Sequence, residues 1–69
     1  MVETIKRHVP YSSALDVEIE SQLLKEGYHL EGVSVTKEHI LDIYSNVDGG
    51  KFILGKDNIT GDLIAKNQS

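Results

Sequence analysis

Asp48-Gly49-Gly50 stands between two β-favouring runs, Ile43-Tyr44-Ser45-Asn46-Val47 before it and Lys51-Phe52-Ile53-Leu54 after it. Glycine reaches the backbone conformations that a tight reversal demands, and Asp-Gly between apolar runs is among the strongest short-range hairpin signals. A second reversal is marked by Lys56-Asp57-Asn58-Ile59-Thr60-Gly61, whose Asp57, Asn58 and Gly61 suit a turn, and it leads into Asp62-Leu63-Ile64-Ala65-Lys66. The spacing predicts a meander of about three antiparallel strands near 39–46, 51–56 and 62–66.

Side chains alternate along a strand, so Leu41, Ile43, Phe52, Leu54, Leu63 and Ala65 are expected on one face. Ile40, Tyr44, Ile53 and Ile64 then fall on the other. One helix covers one face of so small a sheet, and an apolar face left open commonly marks a contact surface. The alternative cover is the N-terminal segment.

The helix itself is signalled by Ser13-Ala14-Leu15-Asp16 and the residues that follow. Ser13 suits the N-cap, Asp16 sits three residues on, Lys25 lies in the last turn and Gly27 can take the left-handed closing position. These signals predict a helix over 14–26. At about 100° per residue Leu15, Ile19 and Leu23 form one stripe, while Val17 and Leu24 lie on roughly the opposite side. A helix with two apolar stripes needs cover on both. Short strands at 2–9, ended by Pro10, and at 32–36, around Val33 and Val35, are permitted additions.

Residues 37–46 also fit a second helix, with Thr36 as N-cap and Ile40, Ile43, Tyr44 and Val47 along one side. The order would then be helix, helix, hairpin, which resembles the winged-helix arrangement of nucleic-acid-binding proteins. A reading helix there would present Lys37, Glu38, His39 and Asp42, a poor set for base edges. The hairpin signal that follows favours the strand.

Stability has to come from apolar packing. The 69 residues include no cysteine, and no zinc-type cluster of Cys and His occurs, so neither disulfide nor structural metal supports the core. Length limits the chain to one domain, 1–69. No secretory leader and no apolar run of about 20 residues is present, so a cytoplasmic protein without membrane contact is expected.

Charge is unevenly placed. From Pro10 to Asp48 eight carboxylates face only Lys25 and Lys37, a net −6 within a chain of net −4. That balance opposes binding to phosphate backbones and suits a partner protein with a basic surface. The acidic residues of the helix, Asp16, Glu18 and Glu20, are the candidate contacts on that side. On the sheet the candidates are Ile40, Tyr44, Ile53 and Ile64.

Catalytic constellations are weak. No serine sits in a glycine-flanked elbow, thiol chemistry is excluded, and the glycines do not form a phosphate loop. His8, His29 and His39 lie among Glu31, Glu38 and Asp42 without the spacing of a ligand motif. Asp57-Asn58-Ile59-Thr60-Gly61-Asp62 lacks an oxygen ligand at its third position and reads as a turn, not a calcium loop. The sequence thus predicts an α+β domain without cofactor, a non-enzymatic interaction or regulatory module working through its acidic segment or an exposed apolar sheet face. Homodimerisation is a related expectation, because the apolar positions exceed what one helix and one small sheet hide.

Overall fold

A computed structural model of the chain describes residues 9–68. The strand expected over 2–9 lies outside the described residues except at Val9, and His8 lies outside them too. Among the described residues a single helix, α1 (Ser13–Lys25), packs on a four-stranded antiparallel meander of β1 (His29–Val35), β2 (His39–Ser45), β3 (Lys51–Asp57) and β4 (Leu63–Asn67), in the spatial order β1-β2-β3-β4. The short strand anticipated around Val33 and Val35 is the full edge strand β1.

Helix α1 begins one residue earlier than its punctuation suggests, with Ser12 as N-cap accepting from the Leu15 N–H at 3.4 Å. Two bonds to Tyr11 account for the shift. Its N–H donates to the Gly61 carbonyl at 2.9 Å, which anchors the chain beside the last turn, and its phenol donates to Asp16 Oδ2 at 3.2 Å. Asp16 is thereby engaged away from the cap. At the other end Gly27 adopts φ 87°, and the N–H groups of Gly27 and Tyr28 donate to the carbonyls of Leu24 and Leu23 at 3.1 and 3.0 Å. That is a Schellman closure, and Tyr28 packs with Leu23 in the contact that usually accompanies it.

Residues 39–45 are strand, so no second helix forms and the winged-helix order is not adopted. The Thr36 hydroxyl does what an N-cap would do, accepting from the N–H groups of Glu38 and His39, both at 3.1 Å. Here it stabilises the β1–β2 reversal, in which the Thr36 N–H also donates to the His39 carbonyl at 2.8 Å. A hydroxyl bonding the N–H groups two and three residues on serves a helix start and a tight turn alike.

The face assignments change at the β2–β3 hairpin. Asn46 closes its loop on Gly50, with Gly49 at φ 83°, so Ser45 pairs with Lys51, Tyr44 with Phe52 and Asp42 with Leu54. A turn made by the two glycines alone would shift the register by an odd number and turn every β2 side chain to the other face. With the observed register Ile40 and Tyr44 join Phe52, Leu54, Leu63 and Ala65 beneath the helix. Leu41 and Ile43 join Ile53 and Ile64 on the opposite face. The expected grouping of Ile40 and Tyr44 with Ile53 and Ile64 is corrected accordingly.

Leu23, Tyr44 and Leu54 form the buried core, with Ile19, Tyr28, Phe52 and Leu63 packed around them. The second helical stripe, Val17 and Leu24, is exposed.

Candidate functional site

Helix α1 lays Leu15, Ile19 and Leu23 towards the sheet, and its carboxylates divide between the two sides of that stripe. At about 100° per residue Asp16 and Glu20 fall on one flank, with Glu18 and Glu26 on the other. Each flank borders a depression against the sheet.

The first depression, about 290 Å³, is lined by Tyr11, Asp16, Ile40, Asp42, Gly55 and Lys56. The Tyr44 phenol reaches this flank from the core and donates to Glu20 Oε2 at 2.8 Å. Lys56 Nζ lies 5.5 Å from the centroid of the Tyr11 ring, within cation–π range. Burial pushes the Asp42 carboxyl above its ordinary value, and the charges of Asp16 and Glu20 add to the effect. Burial also raises Tyr44, reinforced by its bond to Glu20, and raises Tyr11 with help from the charge of Asp16. Both phenols are therefore neutral donors at physiological pH. A raised carboxyl in a cleft is what a general acid requires. Among the described residues, however, no three His, Cys, Asp or Glu side chains come together as a metal site, and none of the serines approaches Asp42 by a hydrogen bond.

The second depression, about 340 Å³, runs along the other flank of the helix over β3 and β4 and is lined by Glu18, Ile19, Gln22, Leu23, Glu26, Tyr28, Phe52 and Asn67. Its floor is apolar. Tyr28 and Phe52 meet edge to face with centroids 6.5 Å apart, an arrangement that fixes both rings. Along its lip run Glu18, Gln22 and Glu26, successive positions of one i, i+4 row, with Gln22 Nε2 donating to Glu26 Oε2 at 2.8 Å. Glu18 and Glu26 stand about 12 Å apart along the helix axis. Neither is ion-paired among the described residues, where the Lys51–Glu31 pair at 3.2 Å is an exposed contact of little energetic weight.

The sequence-predicted contacts are dispersed over this structure. Asp16 and Glu20 belong to the phenol-bearing flank, and Glu18 to the apolar groove. Ile40 is half-exposed beside Asp42, Tyr44 is 2% exposed in the core, and Ile53 and Ile64 lie on the far face of the sheet. Tyr28, Phe52 and Asp42 were not among the expected contacts. The i, i+4, i+8 row Glu18-Gln22-Glu26 was readable as one helix edge. The aromatic floor beneath it depends on the chain closure at Gly27 and on β-register. His29 approaches Ser45 Oγ at 3.3 Å, and Glu31, left unpaired by a bulge between Leu30 and Gly32, reaches Lys51. The turn expected at Asp57 is formed, its carboxylate accepting from the Ile59 and Thr60 N–H groups at 2.8 and 3.2 Å, which holds that acid below its ordinary range. No helix of the described residues is long and apolar enough to cross a membrane. No protein-family model, curated protein or solved structure matches the chain.

Proposed function

We propose that the chain is a non-enzymatic interaction module that engages a basic, partly apolar segment of another protein in the groove between α1 and the β3–β4 side of the sheet. The observation that carries this reading is the combination of an apolar floor, Ile19, Leu23, Tyr28 and Phe52, with the carboxylates Glu18 and Glu26 on its lip, neither of them ion-paired among the described residues. A lysine or arginine side chain has the matching chemistry. Its methylene stem lies on the rings while its charged head meets a carboxylate, and arginine adds stacking and paired hydrogen bonds. The net −6 of residues 10–48 steers such a partner towards this part of the molecule.

The test is an NMR titration of the full chain with an arginine- and leucine-containing amphipathic peptide. Shifts confined to residues 18–28, 52 and 67, weakened by salt, are expected, and Glu18→Gln/Glu26→Gln should weaken binding by roughly tenfold or more. Binding that is equally strong in that double variant, or shifts that miss the groove, would contradict the proposal.

A further inference from the structure

Helix α1 lies over β3, so it covers the sheet off-centre. Strand β1 turns its aliphatic side chains to the helix face all the same. Leu30 is the direct partner of Tyr44, Val33 of Asp42 and Val35 of Ile40, and residues opposite one another in an antiparallel ladder share a face. Leu30, Val33 and Val35 are 52, 56 and 68% exposed, with Ile40 beside them at 42%. This apolar strip is walled by the flank of α1 that carries Glu20. Leu24, also exposed, stands about 40° further round the same helix.

The strip is one helix wide. A helix with its side chains is about 10 Å across and strands lie about 4.8 Å apart, so α1 over β3 leaves β1 and the outer half of β2 open. A second helix beside α1, at the usual spacing of about 8–10 Å, has its axis over β1, two strand spacings from β3. At the foot of the wall stand Asp16, Glu20 and Asp42, near enough that the charges of the first two act on the third. Asp16 and Glu20 each accept from a phenol, Tyr11 and Tyr44, and a phenol neutralises neither. None of the three is ion-paired among the described residues. Lys56, the lysine that lines this depression, lies over the Tyr11 ring.

We propose that the strip above β1 and β2 docks a helix of a partner protein, aliphatic where it meets Leu24, Leu30, Val33, Val35 and Ile40, with a lysine or arginine reaching Asp16, Glu20 and Asp42. Charge complementarity selects this occupant, because α1 of a second copy would bring its own Asp16 and Glu20 onto the same carboxylates. The strip lies across α1 from the groove of Tyr28 and Phe52 and is independent of it. The two also take different forms of chain. The groove receives side chains of a flexible segment, whereas the strip needs a helix already formed, and a short linear peptide in water is only marginally helical.

The test is an NMR titration of the full chain with a peptide of about 16 residues locked as a helix by side-chain bridges, leucine along one face with a central lysine, beside its unbridged form. Both are run on the wild type and on Glu18→Gln/Glu26→Gln, which alters the groove alone. The bridged helix should shift Leu24, Leu30, Val33, Val35 and Ile40 to the same extent in both chains, and bind roughly tenfold or more tighter than the unbridged form. Val33→Lys sets an ammonium opposite Asp42 at an exposed edge-strand position. It should weaken the bridged helix by roughly tenfold or more with unchanged circular dichroism. Glu20→Gln keeps an acceptor for the Tyr44 phenol, removes the charge and should weaken it too. Absence of binding by the bridged helix, shifts confined to the groove, or full affinity in Val33→Lys overturns the proposal. So do shifts of residues 30–35 that grow with protein concentration before peptide is added, since the strip would then belong to a second copy.

Discussion

Glycine 55 illustrates how a single missing side chain sets the geometry of the sheet. A Cβ built there would run into the Ile40 carbonyl oxygen and come within 2.9 Å of Ile40 C and Leu41 Cα, all backbone atoms that cannot swing aside. Gly55→Ala is therefore expected to cost about 1–3 kcal/mol, read as a lower urea midpoint. Gly32 is the matched control. Nothing lies within 4 Å of its Cβ position and its φ is not left-handed, so Gly32→Ala should be neutral or stabilise by up to about 1 kcal/mol. A comparable loss in both variants would contradict the close-approach explanation. Asp42 makes a prediction of a different kind. Its folded-state pKa lies above the ordinary 3.8, so the proton binds more tightly in the folded chain. The stabilisation is fully present below the unfolded value and is lost as pH rises through the folded one. Asp57 works in the opposite sense, because its lowered pKa supplies stability that disappears as pH falls below 3.8. Melting temperature should consequently rise on acidification from neutrality, peak near the ordinary carboxylate range and fall below it. Asp42→Asn should flatten the rise on the neutral side and leave the acid fall in place. Asp57 was legible in the sequence as a turn residue because its partners are two and three residues away. Asp42 was not, since its environment is made by Asp16 and Glu20 on another element.

Local hydrogen-bond chemistry explains which elements were readable and where the reading slipped. Ser12 and Ser13 are equivalent as caps by residue type, and the choice between them is made by Tyr11, which is bonded to Gly61 far along the chain. Ser12→Ala is accordingly expected to cost about 1 kcal/mol of stability, while Ser13→Ala, at the first helical position, should cost at most a few tenths. Equal losses in thermal denaturation would assign the cap wrongly. The helix as an element and the glycines that end it and turn the hairpins were legible, because each depends on residues within one turn of the chain. Strand β1 was legible only in its second half. His29-Leu30-Glu31 carries no clean alternation, and the bulge that leaves Glu31 unpaired is set by β2. Thr36 shows the limit most clearly, since the same two bonds suit a helix or a hairpin and only the strands on either side decide. Register was the costliest gap. A loop longer than the glycine pair shifted β2 by an odd number of residues, which moved Ile40 and Tyr44 beneath the helix and separated them from Ile53 and Ile64.

At the scale of the whole molecule, stability rests on very little. Among the described residues three apolar side chains are buried, Leu23, Tyr44 and Leu54, and Leu54 is 0% exposed at the point where β3 lies under the helix. Apolar surface elsewhere is half-buried, around that core at Ile19, Tyr28, Phe52 and Leu63 and on the far face of the sheet, or open, as at Val17, Leu24, Val33 and Val35. A single core in a domain of this size supplies about 3–5 kcal/mol at most. Truncating a buried leucine to alanine costs about 2–5 kcal/mol, the transfer of its methyl groups plus the cavity left behind. The two ranges overlap, so Leu54→Ala should leave a large fraction of the chain unfolded at room temperature. Val47 is the control, 95% exposed at the tip of the β2–β3 loop, and Val47→Ala should be indistinguishable from the wild type in a urea titration. If Leu54→Ala remained fully folded with a loss under about 1 kcal/mol, helix and sheet would be held together by something other than this core. If the loss instead shrank as protein concentration rose, self-association would be contributing to folding, because a bound partner stabilises the folded chain by mass action.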